Sequence, residues 1–149
     1  MYILERTQWF PRPVDEVFEF FADATNLEAI TPSFLKFRVL TPAPILMNDG
    51  VLIDYRLSFA GVPFGWQTRI EEWRPTSHFV DTALKGPYKR WHHRHEFVAE
   101  SGGTRMRDRV EYELPLGFLG HLAHGLFVRA SLGAIFDHRA AVMTAKFGS

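Results

Sequence analysis

The sequence predicts an α+β fold: a curved antiparallel sheet of seven strands with one apolar face, wrapped around a long C-terminal helix, with two short helices between strands 1 and 2. Three observations predict it. Residues 51–59 and 62–70 alternate so that large side chains share one face. Residues 91–114 form a second alternating pair around Gly102-Gly103. From Pro115 onward the period becomes helical. A one-sided sheet needs a cover, and the last helix has the uncovered face to supply it.

Tyr2 to Phe10 alternates loosely and stops at Pro11-Arg12-Pro13, which reads as strand 1. Val14, Val17, Phe18 and Phe21 recur at helical spacing, with Pro13 suited to a helix entry and Asp15-Glu16 near its positive end. Asp23 can cap a second short helix that carries Leu27 and Ile30 and ends at Thr31-Pro32. Strand character resumes over 34–40 and runs into the turn-rich TPAP stretch at 41–44. In the next pair, placing Phe59 opposite Val62 across Ala60-Gly61 puts Leu57 by Phe64, Tyr55 by Trp66 and Ile53 by Thr68. A strand over 78–84 follows; a tight return through Lys85-Gly86-Pro87 sets an outward Asp81 opposite His92 and an inward Val80 opposite His93. The last helix, roughly 116–146, offers a face of Leu119, Leu122, Leu126, Phe127, Ala130, Gly133, Ala134, Asp137, Ala141 and Met143.

The segment 91–114 sets the register of the candidate site. A Gly102-Gly103 turn supplies two positive φ angles and places Ser101 opposite Thr104. Glu96 then faces Arg109, Arg94 faces Glu111 and His92 faces Glu113, so one face is charge-complementary. The other face carries Trp91, His93, His95 and Phe97 against Met106, Asp108, Val110 and Tyr112, an apolar surface holding three ionisable groups.

Composition bounds the function. The 149 residues suit a single domain over 1–149, and 46% hydrophobic with 23% charged residues is ordinary globular composition. Seventeen basic residues balance seventeen acidic ones, so no global field favours nucleic acid. The arginines at 105, 107 and 109 interleave with glutamates, which explains them without phosphate. The absence of cysteine excludes disulfides, thiolate nucleophiles and cysteine-ligated metals. With no leader-like start and no segment of ~20 apolar residues, a cytoplasmic protein without stable membrane insertion is expected. A monomer or homodimer fits equally well.

The stretches PRPVDEVFEFFADATNLEAITP (11–32), GPYKRWHHRHEF (86–97) and GGTRMRDRVEYELPLG (102–117), with the glycine-containing last helix, resemble the START-like superfamily. Within it the chain is similar to bacterial ligand-binding proteins of polyketide cyclase/dehydrase type, which share the helix-grip fold of birch-pollen-allergen proteins. The resemblance covers essentially the whole chain. It implies an internal, mostly hydrophobic cavity and transfers no catalytic residue.

The expected function is therefore binding or carriage of a small hydrophobic molecule, aromatic, polyketide-like or lipid-like. Tyr55, Leu57, Trp66, Trp91, Phe97, Met106 and Tyr112 line the cavity, and His93, His95 and Asp108 fix polar groups. An alternative is a cyclase or dehydratase in which His95 is the general base and Asp108, its diagonal neighbour, the orienter. A structural or protein-interaction domain is a third reading. The pair His93 and His95 with Asp108 has too loose a spacing to name a metal, so none is assigned, and no cofactor motif is present. Arg129, His138 and Arg139 on the last helix are expected in solvent.

Overall fold

A computed structural model describes residues 1–59 and 61–149. The elements are β1 (Tyr2–Phe10), α1 (Val14–Ala22), α2 (Leu27–Ile30), β2 (Arg38–Val39), β3 (Leu52–Phe59), β4 (Val62–Arg74), β5 (His78–Lys85), β6 (Arg90–Glu100), β7 (Gly103–Glu113), α3 (Phe118–Ala123) and α4 (Arg129–Phe147). The seven strands form one antiparallel sheet in the order β1-β7-β6-β5-β4-β3-β2. The last helix packs on its apolar face, as the sequence predicts.

Local chemistry explains most elements. The Asp23 carboxylate accepts a hydrogen bond from the Thr25 amide at 3.0 Å and starts the turn that leads into α2. The second strand is shorter than the alternation over 34–40 suggests: Ser33–Leu35 forms a 3₁₀ turn, and Lys36 sits at φ 49°, which ends any extended run. The β3–β4 register follows the prediction, with Phe59 opposite Val62, Leu57 opposite Phe64 and Tyr55 opposite Trp66. Ala60, half of the turn expected there, lies outside the described residues.

The β6–β7 hairpin corrects the expected turn. Ser101 (φ 51°) and Gly102 (φ 74°) occupy the two positive-φ positions, and Glu100 pairs with Gly103. Gly103 is drawn into the strand because β1 crosses closely there. A Cβ at Gly103 would lie 2.1 Å from the Phe10 carbonyl oxygen and 2.6 Å from the Trp9 ring. The two-residue shift keeps every side chain on its predicted face but changes its partners. Arg94 now faces Arg109, and His95 faces Asp108 directly. The repulsion is relieved by carboxylates of β1 and of β6 itself. Glu5 of β1 accepts from both Arg107 (2.8 Å) and Arg109 (2.7 Å), while Glu96 takes Arg94 at 2.6 Å.

The β5–β6 pairing is also corrected. Asp81 faces His93, Val80 faces Arg94 and Thr82 faces His92, so Asp81 points toward the helix. The connection through Gly86-Pro87-Tyr88 is wider than a tight turn. Tyr88 packs against Trp66, Trp91 and Tyr112, which holds the chain away from the expected return.

The last helical run, Phe118–Phe147, has nearly the predicted length but a different phase. Its buried residues are Gly120, Leu132, Phe136, Met143 and Phe147. Leu119, Leu122, Leu126 and Phe127 are exposed. A π turn over His124–Val128 separates the two parts and breaks the helical period. By length and hydropathy alone this run is apolar enough to cross a membrane. Its C-terminal half is instead tied to the sheet, and it carries Arg139 into the interior.

Two apolar clusters fill much of the space beneath the helix. One joins Phe10, Phe18, Phe21, Phe79, Phe97, Met106, Met143 and Phe147. The other joins Trp91, Val110, Tyr112, Leu132 and Phe136.

Candidate functional site

The site lies on the concave face, where β5, β6 and β7 run side by side. Alternation sends His93 and His95 of β6 to the same face. Asp81 of β5 is opposite His93, and Asp108 of β7 is opposite His95. Each aspartate hydrogen-bonds the histidine diagonal to it. Asp108 Oδ1 is 2.8 Å from His93 Nε2, and Asp81 Oδ2 is 2.7 Å from His95 Nε2. The two imidazoles stack at a centroid separation of 3.7 Å, and Phe79 continues the stack beneath His95 at 4.2 Å.

Arg139 completes the group from α4. Its Nη2 donates to Asp108 Oδ1 at 3.1 Å, and its guanidinium rests over Phe21 and Phe136. Thr68 of β4 reaches Asp81 Oδ1 at 3.5 Å. His93, His95 and Asp108 are buried, and the Asp81 side chain keeps 20% exposure, making it the most open member. Among the described residues His95 Nδ1 is buried without a hydrogen bond; Asp108 Oδ1 is its nearest anionic neighbour at 3.4 Å.

Electrostatics divide the two histidines. Burial, together with the neighbouring His95 charge, pushes His93 down to about 4 despite its bond to Asp108. Burial also opposes charge on His95, but the hydrogen bond to Asp81 and the neighbouring carboxylate of Asp108 outweigh it and raise its pKa. Burial would raise both aspartates. The His95 bond and surrounding positive charge lower Asp81 instead, and Arg139 leads the groups that hold Asp108 well below its ordinary value. Two carboxylates and one guanidinium thus surround a neutral His93, and a protonated His95 balances their charge.

The other predicted site residues are distributed around this group. Trp91 and Tyr112 adjoin it in one cluster, with Trp66 edge-on to Trp91 at 5.2 Å. Tyr55 packs with Ile53 and Ile70. Burial raises the pKa of Tyr55, with Asp81 adding to the effect, so it stays a phenol. Phe97 and Met106 lie in the larger cluster beneath α1. Tyr55, Leu57 and Trp91 each retain 8% exposure where Ile53 and Val110 retain none. A surface cavity of about 610 Å³ reaches the edges of Tyr55 and Trp66 from between the 40–42 segment and β3–β4. A second, of about 390 Å³, lies among Glu5, Glu96, Arg105 and Arg107 on the outer face.

Asp81 and Arg139 are the site residues that sequence reasoning missed. Both carried a usable signal. Phe79, Asp81 and Ala83 share one parity, and two of them are apolar. Arg139 lies three residues after Phe136 and four before Met143, on the face those residues bury.

The profile of the family described as polyketide cyclase / dehydrase and lipid transport matches residues 10–135. The chain belongs to this family. No curated protein matches the sequence. Among solved structures, this family member is similar to TTHA0849 from Thermus thermophilus, at 17% identity and TM-score 0.71 over 97% of this chain and 99% of that one. CV1439 from Chromobacterium violaceum superposes with TM-score 0.76 at 12% identity, over 100% and 99% of the two chains. A START superfamily protein from Mycobacterium smegmatis gives 0.70 at 12%, over 99% and 97%. At these identities the likeness is one of fold, and it places this chain in the START-like, helix-grip architecture.

Proposed function

We propose that the protein binds and carries a small, mostly hydrophobic molecule, aromatic, polyketide-like or lipid-like, between the concave face of the sheet and the last helix. One observation carries the reading: a continuous aromatic wall of Tyr55, Trp66, Tyr88, Trp91 and Tyr112 adjoins a buried polar cluster. Apolar burial supplies affinity, and His93, with its partners, fixes the orientation of a polar group. Leu57, Phe97 and Met106 complete the apolar lining in this reading. The protein acts in the cytoplasm as a monomer or homodimer over a single domain. Nucleic acid is no partner, because the outer-face arginines are answered by Glu5, Glu96 and Glu111.

The enzymatic alternative, with His95 as base and Asp108 as orienter, has one observation in its favour: the two are buried directly opposite each other. His95→Ala separates the readings. Loss of affinity with unchanged turnover of a bound substrate supports carriage, and loss of turnover at unchanged affinity supports catalysis.

Native mass spectrometry of freshly purified protein tests the leading reading. A retained apolar molecule, released by Trp66→Ala or Trp91→Ala, is the expected result. If the protein carries none, and neither variant alters the binding of long-chain fatty acids and planar aromatic probes, the reading fails.

A further inference from the structure

We propose that Asp81, His93 and His95 form a binding site for one divalent transition-metal cation, with Asp81 Oδ2, His93 Nδ1 and His95 Nε2 as its ligands. The assignment is separate from apolar carriage and is tested without an apolar ligand.

Geometry is the first support. One ligand atom from each of the three residues lies within 4.8 Å of the others. Asp81 Oδ2 is 3.7 Å from His93 Nδ1 and 2.7 Å from His95 Nε2. A tetrahedral zinc-sized ion with bonds of about 2.0–2.2 Å holds its ligands roughly 3.4 Å apart. The first separation fits with little movement. The second, at 2.7 Å, opens by roughly 0.7 Å as the ion replaces the hydrogen bond. Two imidazole nitrogens and one carboxylate oxygen suit zinc, cobalt, nickel or iron(II), and leave positions for water or an oxygen of a bound molecule.

The surroundings supply the second support, because they orient each donor. Asp108 accepts from His93 Nε2 at 2.8 Å, so the proton of neutral His93 sits on Nε2 and the Nδ1 lone pair is turned toward Asp81. This is the outer carboxylate that metal-ligating histidines commonly use. Arg139 anchors Asp108 at 3.1 Å, and Thr68 approaches Asp81 Oδ1 at 3.5 Å, leaving Oδ2 for the ion. Phe79 supports the His95 ring from the far side. The partly exposed Asp81 side chain gives an ion a path from solvent. Arg139 opposes the added charge, but it is paired with Asp108.

The test is a titration of chelator-stripped, tag-free protein with Co²⁺, read by visible absorption and by paramagnetic shifts of histidine ring protons. One equivalent is expected to bind, to shift the rings of His93 and His95, and to be displaced by Zn²⁺. Asp81→Asn is expected to weaken binding at least tenfold, Asp108→Asn by ~10–100-fold, and a His121→Ala/His124→Ala double variant not at all. The proposal is overturned if Co²⁺ shifts only exposed histidines, or if the Asp81 variant binds as tightly as the native chain. The ring shifts are measured on the native protein, so they decide the matter even if Asp81→Asn does not fold.

Discussion

Asp108 stands directly across the sheet from His95, yet its Oδ1 makes its short hydrogen bond to His93, 2.8 Å away on the diagonal. Asp81 mirrors it, facing His93 and bonding His95 at 2.7 Å. Three strands are thereby laced together by two crossed carboxylate–imidazole pairs, and the pKa values of the two histidines move in opposite directions.

Metal-free protein should be most stable near pH 6.5. His93, lowered to about 4 in the fold, contributes stability that is present above its ordinary value and is lost as pH falls toward 4. The raised His95 contributes stability present below its ordinary value and lost as pH rises through its folded pKa. Asp81 and Asp108, both lowered, add a further loss as pH falls below the ordinary carboxylate range. The His93 effect is on the order of 3 kcal/mol if its shift is fully expressed. Urea unfolding across pH 4–9 in a chelating buffer checks the profile. His93→Gln should flatten the acid limb and His95→Gln the alkaline one.

Removing Arg139 should destabilise the fold while removing both ends of its pair costs less than the sum. The side chains of Arg139 and Asp108 keep only 12% and 11% exposure. Arg139→Met leaves Asp108 without its principal counter-charge, an imbalance typically worth about 3–5 kcal/mol at a buried site. A double-mutant cycle with Asp108→Asn, followed by denaturant unfolding, should show a coupling of about 1 kcal/mol or more.

Gly103 and Gly102 should respond oppositely to their apparent roles in the turn. Gly102→Ala meets nothing within 4 Å and bears only the strain of φ +74°, about 1 kcal/mol. Gly103→Ala drives a methyl against the Phe10 carbonyl and the Trp9 ring and should cost about 2–3 kcal/mol or more. Thermal unfolding of the two variants separates the observed register from a Gly102-Gly103 turn.

The helix phase can be checked in the same way. Leu126, 70% exposed, and Phe118, 78% exposed, should tolerate replacement by Gln within about 0.5 kcal/mol. Leu132→Ala and Phe136→Ala, on the packed face, should each cost about 2–5 kcal/mol.

Much of the architecture was legible because its signals are local. Period-two alternation and a short connection specified the β3–β4 register to the residue. The same alternation placed His93, His95 and Asp108 on the inner face, where they are buried. The changes of period at Val14 and beyond Pro115 revealed α1 and the last helix. What tertiary structure decided lies where that locality ends. β1 arrives from ~100 residues away, forces Gly103 into the strand and answers the arginines with Glu5. The wide connection over 86–89 breaks the inference of parity from β6 back to β5, and so conceals the inward Asp81. The π turn shifts the helical face, and packing against β7 brings Arg139 inside. Side-chain direction follows from the local chain, whereas the partner each side chain meets is set by how distant strands and the helix dock.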